Sequence, residues 1–278
     1  MVPQTKPPFA YYGGKTTLAE KIVALLPEHS HYVEPFAGSL AVLLAKRSAT
    51  WETVNDLDGD LMTFWRVLRD RPLELARAAM LTPHARAELA AAADLDVPDE
   101  VERARRVWVR LSQSRGNTMR NVAAGDWRYR QDPKMGTSMP DYVTAYARRI
   151  EACAARLKNV SLECRDALDV IREYGKHEAV CIYADPPYLG TTRRTRTNYR
   201  HEMTGDSAHQ DFAAALHACE ASVVISGYAS PLYEELFDGW HATKLKGPTT
   251  LSGDTDRVEV LWSNRPLGEA TLFDGLGA

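Results

Sequence analysis

The sequence predicts an α/β fold, with a mostly parallel sheet of seven strands that ends in a C-terminal antiparallel hairpin and carries a helical insert. Three observations predict it. Short apolar runs alternate with helical periodicity over residues 1–69, and again after residue 157. Between them, over 70–157, alanine-rich helical pieces follow one another with no convincing strand. Finally, the last two strand-like runs are joined by KGPTTLSGDTD, which leaves no room for a crossover helix, so they pair as a hairpin.

The elements follow in order. A first strand, His31–Glu34, runs into EPFAGS and then a helical run, Leu40–Lys46. A second, Glu52–Asn55, ends on Asn55-Asp56 and precedes a helix from Gly59 to Leu68, whose Leu61, Phe64, Trp65 and Leu68 recur at helical spacing. The insert reads as helices at Pro72–Ala79, Pro83–Ala93, Asp99–Gln113 and Pro140–Leu157, with a long polar loop before the last. Strands at Val160–Glu163, Val180–Tyr183, Ser222–Ser226, His241–Leu245 and Arg257–Trp262 then alternate with helices at Ala167–Tyr174, Ser207–Cys219 and Pro231–Phe237. This divides the chain into a sheet domain, 1–69 with 158–278, and a helical insert, 70–157.

Composition excludes several classes. No apolar run approaches the roughly 20 residues of a membrane span, and the N-terminus lacks a secretory pattern, so a cytoplasmic protein is expected. The four cysteines (Cys153, Cys164, Cys181, Cys219) are scattered, which predicts free thiols rather than disulfides or a metal site. The net charge of −3 hides an uneven distribution: residues 101–150 hold eleven Lys and Arg against four Asp and Glu. That pattern is compatible with a nucleic-acid partner or with a solvated helix face.

In open α/β sheets ligands bind beyond the carboxyl ends of the strands. The first strand is followed there by Glu34-Pro35-Phe36-Ala37-Gly38-Ser39, a glycine turn into a helix, which reads as a cofactor loop or a simple tight turn. Asp56, eighteen residues beyond Gly38, is spaced to hold ribose hydroxyls, and as a helix cap equally well. Asp166-Ala167 after the third strand offers an adenine contact or another cap. The fourth strand ends on Asp185-Pro186-Pro187-Tyr188, whose prolines stop the strand and fix its shape. Ser226-Gly227-Tyr228 ends the fifth. At the N-terminus, Gly13-Gly14-Lys15 is followed by Thr16 and Thr17, either of which can cap a helix, but the spacing is not that of a phosphate loop.

Taken together, Tyr11-Tyr12-Gly13-Gly14-Lys15, Glu34–Ser39, Asn55-Asp56, Asp185-Pro186-Pro187-Tyr188 and Tyr199–Met203 resemble, in order, the Dam-like (group α) S-adenosylmethionine-dependent DNA adenine-N6 methyltransferases. One departure is Leu40, which stands where that family often has a second glycine. The resemblance implies a Rossmann-like methyltransferase sheet, with the insert as a target-recognition domain. It implies S-adenosyl-L-methionine as cofactor, held by Tyr11, Lys15, Glu34, Pro35, Phe36, Ala37, Gly38, Ser39, Asp56, Asp166, Ala167 and Asp185. Asp185, Pro186, Pro187 and Tyr188 form the catalytic corner. There, Asp185 and the Pro186 carbonyl accept the two hydrogens of the amino group, and Tyr188 stacks on a flipped-out base. With an ordinary pKa near 3.9, Asp185 is an acceptor rather than a base.

The implied partner is double-stranded DNA, with no metal and no membrane. Arg193, Arg194, Arg196, Tyr199 and Arg200 are placed to meet backbone phosphates. Arg115, Asn117, Arg120, Asn121 and Arg128 are candidates to read bases. A monomer is expected, and a cognate restriction endonuclease is left open. Two alternatives stand beside adenine N6: methylation of cytosine N4, and DNA binding without catalysis.

Overall fold

The computed structural model describes residues 4–120, 122–130, 132, 134, 136–188, 200, 203, 205–245 and 258–268. After α1 (Ala19–Leu25), β1 (His31–Glu34), α2 (Ala41–Ala45), β2 (Trp51–Asn55) and α3 (Gly59–Asp70) follow in turn. The next stretch is helical: α4 (Pro72–Leu81), α5 (Arg86–Ala91), α6 (Glu100–Gln113), α7 (Met139–Ala147) and α8 (Ile150–Leu157). Then come β3 (Ser161–Glu163), α9 (Ala167–Tyr174), β4 (Val180–Ala184), α10 (Asp206–His217), β5 (Ser222–Tyr228), α11 (Pro231–Leu236), β6 (His241–Leu245) and β7 (Glu259–Ser263).

The seven strands form one sheet in the order β3-β2-β1-β4-β5-β7-β6. The first five are parallel, and β7 runs antiparallel to both β5 and β6. The central strands are apolar at nearly every position because helices cover both faces. Alternation then assigns each residue to a face. Tyr32, Val54, Tyr183, Val224 and Leu261 pack with α1, α2 and α3, whereas Val33, Ile182, Val223, Ile225 and Trp262 pack with α9, α10 and α11.

The structure differs from the sequence reading in four places. Pro140–Leu157 is two helices, not one. The chain turns at Arg148 and Arg149, where the Arg149 N–H bonds Tyr146 only three residues back and its guanidinium donates to the Pro7 carbonyl. The helix expected over Pro83–Ala93 shortens to α5, because Ala85 is extended and its N–H goes to the Gln113 side chain. Neither Thr16 nor Thr17 caps α1: a turn from Lys15 to Leu18 precedes it, and Leu18 occupies the cap with no side-chain bond. Lastly, the helices of 70–157 do not enclose a core of their own. Leu75, Val107, Trp108, Ile150 and Leu157 belong to the same apolar cluster as Tyr32 and Leu61. A buried ionic group also fastens them to the sheet, with Glu52 of β2 accepting from Arg156 of α8 and from Lys46.

Candidate active site

The register aligns the ends of β1, β2 and β3 along one edge of the sheet, Glu34 beside Val54 and Asn55 beside Glu163. Buried Asn55 stitches these ends together: its Nδ2 donates to the carbonyls of Pro35 and Arg165, and its Oδ1 accepts from Arg165 N–H. A cavity of about 350 Å³ opens above that edge. Its wall brings together Tyr11, Lys15, Glu34 to Ser39, Asp56, Asp166, Ala167 and Asp185, every residue assigned to the cofactor from sequence.

The glycine turn is built by close approach. Gly38 has φ of +46°, and a Cβ there would lie 3.2 Å from the Tyr11 ring. Leu40 also adopts a left-handed φ of 54°, which explains why a glycine suits that position in the family. Here the strain is offset by complete burial of the leucine side chain. Asp56 closes the turn, its carboxylate accepting from the N–H of Gly38 at 3.0 Å and of Asp58 at 3.0 Å. The helix cap here is Asp58 rather than Asp56. Asp166 caps α9 through Leu168 N–H, and it also lines the cavity.

Charge around the cavity is lopsided. Among the described residues, Glu34, Asp56, Asp58, Asp166, Asp185 and Asp211 line it against Lys15 and Arg200. Burial pushes Glu34 up to about 8, against the hydrogen bonds it receives from the Tyr32 hydroxyl and Leu43 N–H. Tyr183 also stands on this wall, its hydroxyl buried near that of Ser226. Such a lining fits a ligand that carries both apolar surface and positive charge.

The corner at Asp185 holds the main surprise. Lys15 lines the cavity, but its ammonium is committed to acids. Its Nζ lies 2.8 Å from both oxygens of Asp185, donates to the Gly13 carbonyl at 2.9 Å, and stands 3.7 Å from Glu259. Asp185 is not an ordinary carboxylate either. Burial raises it above the usual range; Lys15 opposes that rise and Glu259 adds to it. Tyr188 is buried. Its hydroxyl lies 3.0 Å from Asp185 Oδ1 and 2.7 Å from Glu259 Oε1, and its ring meets Tyr228 edge-on at 4.8 Å. The hydroxyl therefore has partners of its own beside whatever the ring meets. Pro187, rather than Pro186, forms part of the cavity wall.

Several nucleic-acid candidates have partners within the chain. Asn117 is buried at φ of 51°, bonded to the Leu111 carbonyl and to Arg128, while its own carbonyl accepts from Tyr12 N–H, so it braces a loop. Arg200 is bound by Asp58 (3.1 Å) and Asp60 (2.6 Å) at the cavity wall, where its charge is already met by carboxylates. Arg128 bonds Tyr142 as well as Asn117. Arg115 is exposed, packed 5.0 Å over the Tyr129 ring, and Arg120 is exposed. Asn121, Arg193, Arg194, Arg196 and Tyr199 lie outside the described residues. The basic excess of 101–150 is partly internal, since Arg103, Arg105 and Arg106 pair with acids and Arg110 donates to buried carbonyls.

Among the described residues, no helix is long and apolar enough to cross a membrane, and no cluster of His, Cys, Asp and Glu is arranged to hold a metal. All four cysteines are free.

A family model described as D12 class N6 adenine-specific DNA methyltransferase matches residues 11–94 and 140–251. The gap between the two matches, 95–139, covers α6 and the polar loop of the insert. The chain is also similar to a DNA N-6-adenine-methyltransferase of Escherichia phage P1, at 26% identity over 267 residues. That alignment covers 90% of the chain but 34% of the phage protein, so the chain spans about a third of its relative's length.

Proposed function

The chain belongs to the D12 class N6 adenine-specific DNA methyltransferase family, and on that premise we propose that it transfers a methyl group from S-adenosylmethionine to N6 of an adenine flipped out of duplex DNA. One observation carries the reading: the acid-lined cavity over the carboxyl edge of the sheet opens directly onto Asp185. The family description names adenine N6, and nothing in the match favours cytosine N4 or binding without catalysis.

When bound, the cofactor supplies an electrophilic methyl group on a sulfonium. The protein's own contribution is geometry and charge. Tyr11 and Gly38 close one side of the cavity, Asp56 keeps the glycine turn in place, and Asp166 sits at the mouth of α9. Adenine N6 is a weak nucleophile because its lone pair is drawn into the ring. Asp185 Oδ1 already receives Lys15 and Tyr188, but Oδ2 receives only Lys15 among the described residues. Oδ2 therefore keeps a position for an amino hydrogen, and fixing that hydrogen outward leaves the nitrogen lone pair for the methyl. Because its pKa is raised, Asp185 is also a better proton acceptor after transfer than an ordinary carboxylate.

The exposed cationic and aromatic side of the insert suits the DNA. His84 and Trp127 stack at 4.5 Å with Arg86 over the Trp127 ring, and Arg115 covers Tyr129. The test is to methylate DNA with the purified protein, digest it to nucleosides for mass analysis, and map the modified positions. N6-methyladenine at a defined sequence is expected. N4-methylcytosine, or unmodified DNA despite bound cofactor, would overturn the reading.

A further inference from the structure

The strand order puts one acid at the catalytic edge by an unusual route. Strand β7 is antiparallel, so its first residue rather than its last reaches the carboxyl edge, and Glu259 stands opposite Tyr228. Glu259 is 6% exposed and is not on the cavity wall. Its Oε1 accepts from the Ser226 hydroxyl at 2.5 Å and the Tyr188 hydroxyl at 2.7 Å, and lies 3.7 Å from Lys15 Nζ. It touches the corner only through these neighbours.

We propose that Glu259 is a positioning residue for methyl transfer: it draws the Tyr188 proton and part of the Lys15 charge away from Asp185, and so keeps Asp185 open to the substrate amino group. The argument is a count of protons. The Tyr188 hydroxyl has one, and two carboxylate oxygens lie within 3.0 Å of it, Glu259 being the nearer. A proton committed to Glu259 leaves Asp185 Oδ1 with Lys15 alone, the condition Oδ2 already has, so both oxygens keep a position for the amino group. Without the glutamate, the hydroxyl turns fully to Asp185 and fills the position on Oδ1. The ammonium behaves alike. With both acids near, Lys15 is shared between them; with one, it settles on Asp185 alone.

The groups facing Asp185 come from every element around it: Lys15 and, beside it, Tyr228, with Glu34 from β1, Tyr183 from β4, Tyr188, Tyr233 from α11 and Glu259 from β7. Of these, Glu259 is an acid whose charge holds Asp185 up without lining the cavity.

The proposal rests on the reading of Asp185 as the acceptor of the amino group, and two measurements separate the two claims. The first is a pH titration of the Asp185 side-chain carboxyl by carbon-13 NMR, without cofactor or DNA, in wild type, Glu259→Gln and Glu259→Asp. The midpoint falls in Glu259→Gln, which loses the charge, and stays near wild type in Glu259→Asp, which keeps it. The second is the single-turnover methylation rate against pH. In Glu259→Gln the rate falls about tenfold or more, equivalent to ~1.4 kcal/mol on the barrier, and its acid limb moves to lower pH. An Asp185 midpoint unmoved by Glu259→Gln, or a wild-type rate in that variant, overturns the proposal. If wild type itself transfers no methyl, the methyltransferase reading fails, while the titration still decides whether Glu259 tunes Asp185.

Discussion

Replacing Lys15 with methionine tests whether the catalytic corner is the buried ionic cluster described above. The Lys15 side chain is 6% exposed, and those of the acids it serves, Asp185 and Glu259, are 21% and 7% exposed. Removing one partner of a buried pair leaves an uncompensated charge and costs about 3–5 kcal/mol. For a chain of this size that corresponds to a fall in melting temperature of roughly 6–20 °C. The pH dependence gives the sharper criterion. Lys15 has its pKa raised above the usual value, so its own contribution is complete below that value and constant across the acidic and neutral range. Asp185 is raised too, and losing Lys15 removes the largest influence opposing burial, so it rises further. An acid whose folded pKa exceeds its unfolded one favours the folded state at low pH, and that favour is lost as pH rises through the folded value. The gap between wild type and Lys15→Met should therefore be smaller at acidic than at mildly alkaline pH, widening as pH rises through the raised Asp185 value. Thermal or urea melts at an acidic and a mildly alkaline pH measure it. A loss below about 1 kcal/mol at the higher pH, the range of an exposed pair, would refute the buried cluster. So would a loss of equal size at both.

Three other perturbations follow from the same geometry. Asp185→Ala should abolish methyl transfer while cofactor titration shows binding largely retained; substantial residual methylation would remove Asp185 from its role. Tyr188→Phe deletes a donor to two buried carboxylates and should cost about 1–3 kcal/mol in denaturant melts, and Tyr188→Ala about 3–5 kcal/mol; a phenylalanine variant as stable as wild type would show the hydroxyl to be idle. Arg200→Ala should leave the salt dependence of DNA binding unchanged, because its guanidinium is held by Asp58 and Asp60; a decrease of about 0.9 in the slope of log affinity against log salt would instead reveal a phosphate contact.

The sheet and the cofactor wall were legible because they follow local rules. All seven strands and their turns carry apolar runs punctuated by glycine, proline or aspartate, and the residues after four of the five parallel strands converge on one cavity. What escaped the sequence depends on distance. Lys15 and Asp185 are 170 positions apart, and no spacing rule joins them. The internal partners of Asn117 and Arg200 were not legible because polar residues in a loop carry no mark of burial. Here one is folded under its loop, and the other is claimed by acids 140 and 142 positions earlier. The break at Arg148 was hidden because helical periodicity continues on both sides of it.

Glu259 shows the limit of a useful rule. Searching beyond the carboxyl ends of strands finds every functional residue that a parallel strand delivers, because all such strands point the same way. An antiparallel strand inserted beside them reverses the rule, since its opening residue arrives at the active edge. The hairpin at the end of this chain was foreseen from the short connection between its strands, and the strand order places β7 directly against β5. From those two facts, an acid at the start of β7 must lie beside Tyr228 and face the corner. Because β6 lies on the far side of β7, that acid is covered by the sheet rather than exposed on an edge, and burial gives its charge leverage over Asp185.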